Sequence, residues 1–245
     1  MGQQALDLLN SSYLKKIVLS RVKKLPLSTS YKEIFENLTQ KYPNAFVYLA
    51  VGPFGIWAGA SPEILIESDY KKLKTVALAG TQEYVHSKNK YDWGDKEKEE
   101  QNLVSEYIAE ILKQNQVPFH MGQPQTVQAG NVVHLKSIFE CDVKNKEQVH
   151  QILKSLHPTP AVAGISTPTS IEEIIRLEPH NRKFYTGYIG EISDFNTRLY
   201  VNLRCMEFIE NNVYLYVGGG FTRHSDVESE WKETESKARV LLGVL

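Results

Sequence analysis

Residues 156–162 read Leu156-His157-Pro158-Thr159-Pro160-Ala161-Val162, and the reading of the fold turns on them. Proline has no backbone N–H to give, which keeps a run with two prolines out of a helix interior and out of a central strand. The stretch is therefore expected to form a rigid loop between two ordered elements. Upstream, Asn145 is placed to cap a helix carrying Val149, Ile152, Leu153 and Leu156 on one face. Downstream, Ser170-Ile171-Glu172-Glu173 has the form of a capping box that opens another helix.

Working outward from the loop, Leu14 to Val22 and Ala45 to Val51 are apolar and β-branched enough to be strands. Between them the capping box Ser30-Tyr31-Lys32-Glu33 predicts a helix through about Tyr42, with Ile34, Phe35 and Leu38 on one face. Gly55 to Ala60 and Glu63 to Glu67 are expected to pair around a turn at Ser61-Pro62, and Leu73 to Leu78 forms a strand broken by Gly80. Gln82 to Lys96 is polar and aperiodic, a surface excursion. A long helix follows from about Lys96 to Asn115, with Leu103, Val104, Tyr107, Ile108, Ile111 and Leu112 at helical spacing. Strands are expected near Thr126 to Gln128 and Val132 to Cys141. The last third reads as antiparallel sheet: Tyr188 to Ser193, Leu199 to Ile209, and Val213 to Val217 after a turn at Glu210-Asn211-Asn212, with Gly218-Gly219-Gly220 ending the hairpin. Ser225-Asp226-Val227-Glu228 has the form of a third capping box. Hairpins alternate with helix blocks rather than with single crossovers, which argues for an α+β fold. No repeat or linker divides the chain, so one domain over residues 1–245 is expected.

Composition narrows the function classes. With 42% apolar and 23% charged residues and a formal net charge of −1, the chain has no basic field for nucleic acid. No apolar run approaches the roughly 20 residues of a membrane span, and Met1 to Leu14 lacks the regions of a signal peptide. Cys141 and Cys205 have no paired spacing, which suits a reduced, cytoplasmic compartment.

Several side chains carry possible chemistry. On the terminal helix, Glu230, Glu233 and Lys237 fall within one arc of about 60° beside the stripe of Val227, Trp231, Thr234, Ala238 and Leu241. They form either a solvated face with a Glu233–Lys237 pair or an inward acidic site. Glu100 is expected to point with Val104, Tyr107 and Ile111, where a buried carboxylate demands a cation. Inward carboxylates from two helices suit Mg²⁺, which takes one or two of them plus water and an anionic substrate. Gly218, Gly219 and Gly220 form either a hairpin exit or a backbone nest for an anion. Arg204 is placed inside the preceding strand, to clamp the same anion or to make a rim salt bridge. Lys16 enters an apolar strand and Glu63 follows Ser61-Pro62. In one cleft, desolvation would favour the neutral amine and the protonated acid, a base and a proton donor near neutral pH. The alternative is a strand-edge lysine and a surface glutamate. No Gly-x-Ser-x-Gly or phosphate loop is present.

The order of these pieces resembles the chorismate-utilising enzymes over essentially the whole chain, and His157-Pro158-Thr159-Pro160-Ala161 resembles a signature of the isochorismate synthase branch. The resemblance runs through Lys16-Ile17-Val18-Leu19-Ser20-Arg21, Ala60-Ser61-Pro62-Glu63 and Ala77-Leu78-Ala79-Gly80-Thr81. It continues in Glu178-Pro179-His180-Asn181-Arg182 through Gly187 and Gly190, then Arg204-Cys205, Gly218-Gly219-Gly220 and Glu230-Trp231-Lys232-Glu233. It implies antiparallel sheets packed together with flanking helices. Lys16 would be the base and Glu63 the acid, with Glu100 and Glu233 as Mg²⁺ ligands and Glu230 assisting through water. Arg204, Lys237 and the backbone of Gly218, Gly219 and Gly220 would hold the substrate carboxylates, and Gly80, Thr81 and Tyr185 would line the pocket. The implied reaction is conversion of chorismate to isochorismate by a monomer or weak dimer, serving menaquinone or siderophore synthesis.

Neighbouring activities set the alternatives. Aminodeoxychorismate synthases often place a nucleophilic lysine where Ala79 stands, and they and anthranilate synthases usually carry a different loop in place of 157–161. Salicylate synthases add pyruvate elimination on the same scaffold. Family members usually have His after the first metal-binding glutamate, where this chain has Gln101, and a long region before the base, where Lys16 lies near the start. The fold is therefore expected to lack part of the N-terminal region, and a non-catalytic truncated relative is the remaining alternative.

Overall fold

The computed structural model describes residues 1–88, 90–129 and 132–245. Among these, the elements run α1 (Gly2–Ser11), β1 (Lys16–Pro26), α2 (Tyr31–Lys41), β2 (Phe46–Gly52), β3 (Gly55–Ser61), β4 (Ile64–Ser68) and β5 (Lys72–Glu83). Then come α3 (Asp95–Gln114), β6 (Phe119–Met121), β7 (Gln125–Ala129), β8 (Val132–Asp142) and α4 (Lys146–Leu156). After the proline loop follow β9 (Gly164–Ile165), α5 (Thr167–Leu177), β10 (Tyr188–Ile192), β11 (Thr197–Val201), β12 (Cys205–Ile209), β13 (Asn212–Phe221) and α6 (Val227–Leu242). The pairings are antiparallel throughout, so the class is α+β as expected.

The chain folds into two compact units, each assembled from separated segments. The first comprises residues 1–62, 162–187 and 202–245. Its sheet has the order β2-β3-β12-β13-β1-β9. One apolar cluster joins Ile34 and Leu38 of α2 to Ala58, Met206, Leu215 and Leu241. Another joins Ala5 and Leu9 of α1 to Ile17, Leu19, Ile174 and Phe221.

The second unit comprises residues 63–161 and 188–201. Its sheet has the order β10-β11-β4-β5-β8-β6, with β7 also paired to β8. Helix α3 packs on β5 and α4 packs beside α3. Leu112, Ile108 and Val104 of α3, Phe139 of β8 and Ile152 of α4 are all at most 1% exposed. Each such side chain contributes about 1.5–3 kcal/mol by leaving water.

Local signals held where side chain and backbone meet within a few residues. Ser30 accepts from the N–H of Glu33 and Asn145 from that of Gln148, and residues 157–161 form the loop between α4 and β9. Two caps moved. Helix α5 starts ahead of Ser170, with Ser166 at the cap and Pro168 in the first turn, where its missing N–H costs nothing. In α6 the cap is Asp226, not Ser225, and Trp231 leaves the buried stripe: it is 53% exposed, with the Arg21 guanidinium 3.9 Å above its ring.

Three strand expectations also change. The segments on either side of Ser61-Pro62 are not partners: β3 joins β2 and β12, while β4 joins β11 and β5, in different sheets. Pro62 has no N–H to carry the first ladder forward. The strand expected over Leu199–Ile209 is cut at 202–204, where Arg204 has a left-handed φ of 48°. Gly80 does not end its strand but bulges it, with φ of 71° and a register shift between Ala79 and Thr81. The excursion expected over Gln82–Lys96 yields its ends to β5 and α3, and Asn89 within it lies outside the described residues.

Candidate active site

The first unit carries Lys16 at the start of β1, where the strand pairs with both β13 and β9. Side chains alternate along a strand, so Ile17 and Leu19 enter the apolar cluster while Lys16, Val18 and Ser20 share the opposite face. That face is covered too: Lys16 is 3% exposed. Directly across from Ser20 stands Gly218, and a Cβ there would lie 2.8 Å from the Tyr185 hydroxyl and 2.9 Å from the Leu19 carbonyl. Strand parity thus brings Lys16, Tyr185, Gly218 and Gly220 to one face. Tyr185 is 5% exposed and stacks on Tyr216 with ring centroids 5.7 Å apart, and burial pushes its phenol pKa up.

The glycines are therefore not a hairpin exit. They lie inside β13, paired with Val18, Leu19 and Ser20. The N–H groups of Val18 and Ser20 point away from β13, to the Ala163 carbonyl and the Glu178 carboxylate. By the alternation of an antiparallel ladder, Gly219 then faces β1, while Gly218 and Gly220 present N–H and C=O to the other edge. There β12 has already stopped: its last pair is Cys205 with Tyr216, because the left-handed turn at Arg204 leads the chain away. Arg204 consequently sits at a strand junction, not within a strand.

Helix α6 closes on the opposite face of β13. Glu230 is 2% exposed, receives a 2.7 Å hydrogen bond from Ser225, and sits 3.4 Å from where a Cβ of Gly219 would be. Glu233 pairs with Lys237 at 2.7 Å, and Lys237 donates to the Gly218 carbonyl at 3.1 Å. Glu230 thus stands on the buried stripe with Thr234, Ala238 and Leu241, while Glu233 and Lys237 reach the open edge of β13.

Sequence reasoning missed what fixes β1. The Glu178 carboxylate accepts from the Ser20 N–H (2.6 Å) and hydroxyl (2.9 Å) and is gripped by Arg182 at 2.6 and 2.9 Å. Arg182 also donates to the carbonyls of Val18 (2.6 Å) and Val162 (2.8 Å). No local signal announces a partner 158 residues away.

In the second unit Glu63 is 5% exposed, and its carbonyl receives the Val201 N–H at 3.0 Å. Glu100 is not the head of the buried stripe of α3. That stripe is Gln101, Val104, Ser105, Ile108 and Leu112, one position round the helix, and Glu100 is half-buried at its margin. Gly80 and Thr81 form the β5 bulge beneath α3. A Cβ on Gly80 would lie 3.0 Å from the Glu97 Cβ, and His134 Nδ1 is 3.0 Å from the Gly80 carbonyl and 3.3 Å from the Thr81 hydroxyl. Within neither unit do three or more His, Cys, Asp or Glu side chains gather as a ready-made metal cage among the described residues. Cys141 and Cys205 are free thiols, and among the described residues no helix is long and apolar enough to cross a membrane.

The sequence profile described as chorismate binding enzyme matches residues 2–245. The chain belongs to the chorismate-binding enzyme family. Within that family its similarity runs to the isochorismate synthase branch. It is 29% identical to the isochorismate synthase EntC of Escherichia coli, over 100% of this chain and 66% of that protein. The solved menaquinone-specific isochorismate synthase MenF of E. coli superposes with a TM-score of 0.86 at 29% identity, covering 100% of this chain and 59% of MenF. Anthranilate synthase component I of Streptococcus pneumoniae shares the fold, with a TM-score of 0.85 at 21% identity over 98% of this chain and 56% of that one. The chain thus spans between about half and two thirds of the length of these relatives.

Proposed function

We propose that this protein is a Mg²⁺-dependent isochorismate synthase, an isomerase that adds water at C2 of chorismate and expels the C4 hydroxyl. The observation carrying this reading is the burial of Lys16, 3% exposed, on the same strand face as the Tyr185 hydroxyl and Gly218. A chain that buries an amine on that face gives it a task beyond solubility. Similarity to EntC and MenF supports the isomerase over the aminating activities. Ala79, its N–H bound to Gln101, offers no amine for covalent addition.

The carboxylates of Glu100, Glu233 and Glu230 are hard oxygen donors of the kind Mg²⁺ accepts alongside water and an anionic substrate, so the donor chemistry fits. When bound, the ion would neutralise and anchor the ring carboxylate. Lys16 takes a proton from the water that bonds to C2. Both ring double bonds shift, C1=C2 to C1=C6 and C5=C6 to C4=C5, the C4–O bond breaks, and Glu63 protonates the departing hydroxyl, so that atoms and charge balance. Arg204, Lys237 and the Gly218 and Gly220 backbone would bind carboxylates, the open strand edge supplying N–H groups. Gly80, Thr81 and Tyr185 would contact the substrate.

Incubation with chorismate and Mg²⁺, with and without ammonia, tests this. Isochorismate is the expected product in both cases. Anthranilate or aminodeoxychorismate appearing only with ammonia, or salicylate as the first product, would replace the assignment. Chorismate binding without any product would mark a non-catalytic relative.

A further inference from the structure

The geometry points to Gln101 as the positioning residue that ties the Gly80–Thr81 bulge to the turn of α3 bearing Glu100. This rests on the reading above, in which the bulge contacts the substrate and Glu100 offers a carboxylate to Mg²⁺. Gln101 is 1% exposed, and both ends of its amide are engaged. Its Oε1 accepts the Ala79 N–H at 3.0 Å. Its Nε2 donates to the Ala77 carbonyl at 3.2 Å, with the hydroxyls of Ser137 at 3.1 Å and Ser105 at 3.4 Å also in reach.

Ala77 and Ala79 are the residues just before the bulge, and one amide spans both. The bulge leaves Gly80 without a partner in the ladder with β8, the register slipping between Ala79 and Thr81. Gln101 gives the Ala79 N–H an acceptor beside the slip, and His134 holds the far side through the Gly80 carbonyl and Thr81 hydroxyl. Gly80 lets the two layers close, since its missing side chain would meet Glu97 backbone at 3.1 Å. Because Gln101 directly follows Glu100, any slack in this amide changes the offset between the carboxylate and the bulge. Gln101 is therefore a positioning residue and touches no reacting atom.

The test replaces the amide by a thioether of similar length, Gln101→Met, and uses Leu112→Ala as a control that loosens α3 about three turns further on. Three quantities are read: KM against kcat for chorismate, affinities for Mg²⁺ and chorismate by calorimetry, and amide exchange of Ala79, Gly80 and Thr81. For Gln101→Met we expect both affinities to fall about ten-fold, kcat to change less than KM, and the three bulge amides to exchange faster while the rest of β5 stays protected. Leu112→Ala should lower the unfolding temperature and leave the affinities and bulge amides alone. Wild-type affinities in Gln101→Met, or bulge amides as protected as before, would overturn the assignment. If the wild-type protein binds neither chorismate nor Mg²⁺, the functional reading fails, and the exchange of Ala79 still reports on Gln101 by itself.

Discussion

The Glu178 carboxylate stands where a neighbouring strand would stand for Ser20, accepting its N–H at 2.6 Å. Strand β9 pairs only with Lys16 and Ile17; beyond them the Ala163 carbonyl takes the Val18 N–H, and side chains take the Val18 carbonyl and the Ser20 N–H. Arg182 receives its place in the same arrangement through the Val18 carbonyl.

Removing one partner of this pair leaves the other charge buried, with side-chain exposures of 2% for Glu178 and 15% for Arg182. Glu178→Ala or Arg182→Ala should cost about 3–5 kcal/mol. Urea denaturation measures it, and a loss below about 1 kcal/mol would show that the edge does not depend on the pair.

His180 makes stability depend on pH. Burial disfavours its charged ring and holds its pKa below the ordinary 6.5, against the opposing pull of Glu178. The unfolded chain therefore binds the proton first. This contribution is complete above the unfolded pKa and is lost as pH falls through 6.5 toward the lower folded value. Stability curves of wild type and His180→Asn should converge as the pH is lowered through that window. Parallel curves would assign the effect elsewhere.

Adjacent glycines should respond differently to alanine. At Gly218 the new methyl would collide with the Tyr185 hydroxyl at 2.8 Å and the Leu19 carbonyl at 2.9 Å, whereas at Gly219 its nearest neighbour is Glu230 at 3.4 Å. Gly218→Ala is expected to cost about 1–3 kcal/mol and Gly219→Ala less than about 1 kcal/mol. Thermal melts of the two variants rank them directly, and equal melting would contradict the strand parity argued above.

Lys16→Ala should lower kcat about 10²–10⁴-fold while the circular dichroism spectrum is retained, the range expected for a proton-transfer group. Glu63→Gln should do the same. Turnover unaffected by either change would remove that residue from the mechanism.

Chelation with EDTA should abolish turnover, and Mg²⁺ should restore it. Glu233→Gln should raise the Mg²⁺ concentration needed for half-maximal rate, because a neutral amide is a poorer ligand for a hard cation. A rate indifferent to EDTA would argue against any role for these carboxylates in holding metal.

What the sequence determined by itself is whatever a few neighbouring residues settle among themselves. Ser30 and Asn145 cap their helices because the N–H groups they serve lie three residues on. Residues 157–161 could only be a loop, because prolines cannot donate. The order of the family motifs also survived, being a property of the chain and not of its packing. Tertiary structure decided everything that depends on a partner distant in sequence. It placed β3 and β4 in different sheets, set Gly218–Gly220 inside a strand, and put Gln101 rather than Glu100 at the head of the buried stripe. It also gave Ser20 a partner 158 residues away. A backbone group must find a hydrogen bond once water is gone, but the sequence does not say which remote group will be near enough to supply it.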